Sequence, residues 1–236
     1  MRSRAITVSF DNVYEGALVS YERPDWLVEL AADWTGLKQE NNRERFLVYG
    51  YAQYQHHQWP YLYGAFSYMM HHFACSQTAL NVVDNVWLYP HIGVELSSLL
   101  PEKMKRNARI GYIQTFQNDR RTEQGYVSPG GFNFNLGWEY KGFGIKNLLY
   151  LGKNLQPFFD SQDGNGVQYG TDLYLGSRFY STTKGIYDRI DLYYTYHLNS
   201  MLDLSIASVH HYNGCWNWQQ LVRMTVNLNN FHFKKK

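Results

Sequence analysis

The sequence has no run of about 18 apolar residues, the length a helix needs to cross a bilayer, so no transmembrane helix is expected. It has only two cysteines in 236 residues, Cys75 and Cys215, at a separation that fits no metal or redox spacing motif. Free thiols are expected, with a bridge open to them only in an oxidising compartment. It lacks an excess of either charge: the formal net charge is +2, and basic residues gather only at Arg2, Arg4 and Lys234-Lys235-Lys236. Terminal runs of this kind are solvated tails, so nucleic acid is not expected as a partner. No phosphate-binding glycine loop, zinc-protease helix or Cys-x-x-Cys is present, and no repeat of 20–50 residues is detectable. No low-complexity linker divides residues 1–236, which are expected to form a single domain. Met1-Arg2-Ser3-Arg4 leads directly into strand-like sequence with no signal peptide; if the chain is exported, the export signal is expected to be missing from this sequence.

What the sequence has is aromatic residues and alternation. Aromatics make up 17 %, including 21 Tyr and 7 Trp; they are good strand formers and favour apolar–polar boundaries. In residues 131–140, Phe132, Phe134, Leu136, Trp138 and Tyr140 alternate with Asn133, Asn135, Gly137 and Glu139. Successive side chains of a strand point to opposite faces, so this is a strand between an apolar and a polar medium. Lys141-Gly142 is a tight turn, and residues 143–151 form the return strand. Residues 190–198, 202–207 and 222–229 alternate in the same way, as do Trp26, Val28, Leu30, Ala32 and Trp34 with Leu27, Glu29, Ala31 and Asp33. Residues 17–21, 45–54 and 107–117 are weaker strands. Residues 62–73 suit a strand or a short helix. Residues 86–100 contain Pro90, expected at a bulge or strand end. Long polar loops are expected at 35–44, 73–85, 118–129 and 157–168.

The pattern predicts an all-β, antiparallel up-and-down transmembrane β-barrel of about ten to twelve strands. A soluble sandwich or lipocalin-like binding barrel also alternates. The distribution of charge favours the membrane form: Glu29, Asp33, Arg109, Asn133, Asn135, Glu139, Lys146, Asp191, Asp203, Arg223 and Asn227 share polar faces and are the expected lumen lining. Aromatics at strand ends, Trp26 and Trp34, Phe132 and Tyr140, suit the girdles of a membrane barrel.

Leu221-Val-Arg-Met-Thr-Val-Asn-Leu-Asn-Asn-Phe231 resembles the terminal strand of Gram-negative outer-membrane barrels, which alternates and ends on an aromatic, here Phe231 or Phe233. Three lysines after it depart from that pattern. The resemblance implies a location in the bacterial outer membrane and contact with lipid bilayer and lipopolysaccharide. The first functional expectation is a passive role as a small porin-like channel or structural barrel, with small solutes as cargo.

One segment is a chemical candidate. His210-His211-Tyr212-Asn213-Gly214 resembles the His-x-Ser-Asn-Gly segment of outer-membrane phospholipase A and lipid A deacylases. A serine nucleophile needs an imidazole to take its proton and a third group to orient the ring. The resemblance makes His210 the base and Asn213 a weak second candidate, but Tyr212 stands where the serine belongs. Ser205 and Ser208 lie on the same strand at a different spacing. A polar strand end is the alternative, and a lipid hydrolase is the second functional expectation. The histidine pairs 56–57, 71–72 and 210–211 cannot chelate as pairs on a strand, because neighbours face opposite ways. Asp160-Ser-Gln-Asp-Gly-Asn-Gly166 lacks the acidic ligands of a calcium loop and reads as a surface loop. No metal and no cofactor are expected.

Overall fold

The alternating segments form one meandering sheet. The computed structural model describes residues 16–36, 43–75, 81–101, 104–175, 182, 184–199 and 201–226. The first six strands are β1 (Gly16–Glu22), β2 (Trp26–Gly36), β3 (Arg45–Tyr54), β4 (Leu62–Ala74), β5 (Val82–Glu95) and β6 (Met104–Asp119). There follow β7 (Gly130–Tyr140), β8 (Phe143–Gly152), β9 (Ile186–His197), β10 (Leu202–Tyr212) and β11 (Trp216–Val226). Strand order is sequence order and every neighbouring pair is antiparallel. Eleven strands fall within the expected ten to twelve. Among the described strands β1 and β11 have one neighbour each, so these eleven do not close a ring.

Local chemistry fixes the hairpins. Lys141 and Gly142 both have positive φ (51° and 86°), the conformation that a two-residue type I′ turn requires and that suits the twist of the flanking strands. The register pairs Tyr140 with Phe143 across this turn. Asn213-Gly214 turns β10 into β11, with Gly214 at φ 82°.

The two faces of the sheet differ. Phe132 is 52 % and Leu136 56 % exposed, whereas Asn133 between them is 1 % exposed. The same phase runs around the sheet through the pairing register. Leu30, Phe66, Ile92, Tyr194, Ile206 and Val222 are exposed on one face; Leu47, His71, Asn85, Gln117, Tyr150 and Val209 are buried on the other. The buried face is the inner one, because the β8–β9 connection (residues 153–185) folds back against it. That connection carries α1 (Gly170–Tyr174) and touches strands from β3 to β8. A single segment reaches so many strands only if the sheet curls around it. Two apolar clusters form there. One joins Phe73 and Val83 to Phe158, Phe159, Tyr169, Leu173 and Tyr174 of the connection; the other joins Ile113, Tyr150 and Tyr187 to Leu155.

One open alternative is settled and three expectations are corrected. Residues 62–73 are strand throughout, because inward His71 and Phe73 and outward Phe66 alternate with period two. The loop expected at 73–85 shrinks to 75–81, since β4 and β5 extend their ladder to Ala74 and Val82. Pro90 lies mid-strand rather than at a bulge or end. The β5–β6 ladder is interrupted at residues 89–90 but resumes at His91↔Gly111 without a change of register, so the sheet tolerates the missing donor. Residues 157–168 do not form a loop that merely projects into water: Phe158 and Phe159 are buried in the interior cluster.

A polar inner face plugged at one rim as the candidate functional site

The inner face is built by every second residue of each strand. Register links Glu29 to Tyr51, Arg109 to Asn135, and Lys146 to Asp191. Asn133, Asn135, Glu139, Asp203, Arg223 and Asp33 occupy the same face; Asn227 lies outside the described residues. These side chains are tied into networks. Glu139 accepts from Lys105 Nζ (2.7 Å) and from the Tyr193 hydroxyl (2.9 Å). Arg189 grips Asp191 with Nε (2.7 Å) and Nη2 (2.9 Å). Tyr89 donates to Asn133 Oδ1 (2.9 Å), which also accepts from Asn135 Nδ2. His197 Nδ1 meets Asp203 Oδ1 at 2.7 Å. A buried polar side chain left without partners is costly; the buried members of these networks have partners, on a face that also holds the two apolar clusters.

Tyrosines are the part of this wall that the charge pattern did not single out. Tyr63 lies over Gly93, Tyr89 over Gly111 and Tyr193 over Gly144, so close that a Cβ on any of these glycines would overlap the ring or its hydroxyl. The rings therefore lie along the wall. Lys146 Nζ stands 5.0 Å from the Tyr193 ring centre and Arg109 Cζ 5.6 Å from that of Tyr89, within cation–π range. The signal was present in the sequence as tyrosines at polar-phase positions, Tyr193 between Asp191 and Thr195 for instance.

The β8–β9 connection plugs one rim. Gln117 Nε2 donates to Leu155 O (2.7 Å), and Tyr174 donates to Gln117 Oε1 (2.6 Å). Tyr169 donates to Asp119 Oδ2 (2.9 Å) and accepts from Asn81 Nδ2 (3.0 Å); burial raises its phenol above the ordinary range. His71 Nδ1 donates to Leu173 O (3.0 Å), and Arg45 pairs with Asp172 at 3.6 Å. The same rim joins β2 to β3, β4 to β5 and β6 to β7, and joins β10 to β11 through the tight turn 213–215; the opposite rim has the tight turns 23–25 and 141–142 and joins β3 to β4, β5 to β6 and β9 to β10.

On the outer face, His210 Nε2 lies 3.1 Å from Ser208 Oγ. Its hydroxyl neighbour is thus Ser208, not Tyr212. Asn213 sits in the turn, where its N–H donates to Cys215 O (3.1 Å). The acid nearest in register is Asp188, diagonal to His210 across β9–β10, and its Oδ1 accepts from Asn147 Nδ2 (2.6 Å). Two of the histidine pairs divide as strand geometry requires: His71 faces inward and His72 outward, where it meets Asp84 at 3.5 Å, and His211 faces inward while His210 faces outward. His56 and His57 lie in the β3–β4 connection rather than on a strand, and their rings stack with centroids 4.4 Å apart. Among the described residues no group of three His, Cys, Asp or Glu is arranged to hold a metal. Asp163 Oδ1 accepts from the N–H groups of Asn165 (2.8 Å) and Val167 (2.9 Å), which makes residues 160–166 a self-bonded turn. Both cysteines are free, Cys75 buried and Cys215 exposed. No protein-family model, curated protein or solved structure matches the chain.

Proposed function

We propose that the chain is a membrane-spanning barrel of outer-membrane type with a passive role, a narrow channel whose mouth the β8–β9 connection constricts. The observation that carries the reading is the inversion of its faces: Phe132 and Leu136 are exposed while Asn133 is buried. A soluble lipocalin-like binder turns its apolar face inward, and a water-soluble protein rarely exposes so continuous an apolar surface. A lipid surface solvates the outer face, and the polar networks fit an aqueous lumen. Trp26 and Trp34, both exposed at opposite ends of β2, fit girdles at the two interfaces. The bilayer, with lipopolysaccharide in an outer leaflet, is then the principal partner, and small solutes are the cargo. Reconstitution into liposomes tests this. Stable insertion, heat-modifiable migration and small conductance steps are expected. A protein that stays monodisperse without detergent and ignores vesicles sinks the reading.

A second reading follows from the 3.1 Å contact of Ser208 with His210. On a lipid-facing surface this pair could hydrolyse acyl esters. Ser208 Oγ would attack the acyl carbonyl as His210 Nε2 takes its proton, and the imidazolium would protonate the departing alcohol. A water deprotonated by His210 would then cleave the acyl-serine ester, releasing the fatty acid and restoring Ser208. Phospholipid or lipid A deacylation abolished by both Ser208→Ala and His210→Ala, but retained by Tyr212→Phe, would support it. No deacylation by the unmutated protein would end it.

A further inference from the structure

We infer that the outer face carries a binding furrow for one phospholipid, which lays an acyl chain along β5–β7 and sets its phosphate on Arg106. The furrow begins with small residues at outward positions. On β6, Ala108 offers only a methyl group between its register partners Val94 and Leu136. On β4, Gly64 has no side chain, and nothing lies within 4 Å of where its Cβ would stand. On β5, the compact ring of Pro90 lies opposite Phe66. Larger outward residues stand around these three: Ile92, Ile110 and Phe132 are all exposed. Small residues among large ones leave a depression.

Two depressions follow one another along β6, of about 400 and 410 Å³. Arg106 and Ala108 line the first, with Leu136, Trp138 and Ile145 across from them. Ile110 and Tyr112 line the second, with Gly64 and Pro90 on its far side. Besides Arg106, the outward polar groups along the furrow are the Tyr112 hydroxyl and Asn147. Asn147 Nδ2 already donates to Asp188 Oδ1 (2.6 Å) and to Arg189 O (3.2 Å). The furrow is thus an apolar trough with a cation at one end.

Length and charge select the occupant. Arg106 and Tyr112 are six residues apart on β6, about 20 Å of strand. At the tilt of about 45° usual for membrane strands, the furrow descends about 14 Å, close to half of a hydrocarbon core about 30 Å thick. It is therefore about as deep as one leaflet. Arg106 is the third residue of β6, exposed, and paired in register with Trp138 near the rim opposite the plug. Arginine and tryptophan side by side at a strand end suit the level of lipid headgroups. A guanidinium holds a phosphate through two parallel N–H···O bonds. An acyl chain needs the dry trough and a phosphate needs the cation at its wet end. A second copy of the chain packing here would use the apolar wall and leave Arg106 without a purpose.

The inference rests on the membrane reading, and native mass spectrometry separates the two. The full chain is inserted into vesicles of phosphatidylethanolamine and phosphatidylglycerol, recovered in mild detergent, and weighed intact as phosphatidylglycerol is titrated in. One retained phosphatidylglycerol is expected on the unmutated protein. Ala108→Phe fills the first depression and Gly64→Leu the second, and each is expected to lower retention several-fold, as is Arg106→Gln. Leu30→Phe, elsewhere on the outer face, is expected to leave retention unchanged. Heat-modifiable migration shows which variants are folded, and either filling variant suffices if the other is not. The inference is overturned if the inserted, unmutated protein retains no lipid, or if the folded filling variants or Arg106→Gln retain as much as it does. It is equally overturned if Leu30→Phe lowers retention as far as they do. An unmutated protein that does not insert removes the membrane reading and the furrow together; one that inserts but holds no lipid removes the furrow alone.

Discussion

Single side chains set the width of the interior. Tyr193 lies flat because Gly144 has no Cβ to hold it off, and its hydroxyl then reaches Glu139 at 2.9 Å. Gly144→Val forces the ring off the wall and breaks that bond. Overpacking of this kind costs about 1–3 kcal/mol, and a lower urea midpoint with an unchanged transition slope is the expected result. Gly64, with open space around its missing Cβ, is the matched control. The two thiols make a second residue-scale test. Burial pushes the Cys75 thiol up to about 11, so at neutral pH it stays protonated as well as covered. Cys215 is open to solvent in the β10–β11 turn. A membrane-impermeant maleimide is expected to add once to the folded protein and twice after denaturation.

Among the elements, the β8–β9 connection is the one that, on the channel reading, decides whether the interior conducts. Its hold on the wall is distributed over Gln117, Asp119, His71 and Arg45, so no single substitution releases it. Replacing residues 154–184 with a short glycine–serine turn is expected to leave the sheet folded and raise single-channel conductance several-fold. Unchanged conductance would mean that the constriction lies deeper, at the level of Arg109 and Tyr89. The sequence predicts the strands and fails on this connection for one reason. Strand residues such as Phe132 and Asn133 report their surroundings through period two, because a face repeats every second residue. Phe158, Phe159 and Leu155 are buried by irregular backbone, which carries no period, so the polar residues around them made the segment look like an ordinary surface loop. The contact between Ser208 and His210 needed coordinates for a different reason: it depends on rotamers, not on spacing. Pro90 misled because a proline mid-strand is tolerated where the ladder omits two residues without shifting register.

At the scale of the whole molecule, the apolar outer face is the property on which the proposed function depends. Leu136 lies at the middle of β7 and is 56 % exposed. On the membrane reading Leu136→Arg costs about 2–4 kcal/mol near the bilayer midplane, measurable as reduced stability in lipid vesicles. The same change in a soluble barrel with this face in water would be close to neutral. The whole molecule is also lopsided, because the β8–β9 connection packs inside one rim and reaches strands well apart in the sheet.

That lopsidedness has a consequence in time. The bond between His71 and Leu173 joins residues 102 positions apart, and the one between Tyr174 and Gln117 joins residues 57 apart. The hairpins at Lys141-Gly142 and Asn213-Gly214 join near neighbours. Local contacts form first, because long loops are entropically slow to close. The wall from β3 to β8 must therefore exist before residues 153–175 have a surface to dock on. Docking of residues 153–175 is thus expected as the last step of folding, after the β3–β8 wall has formed.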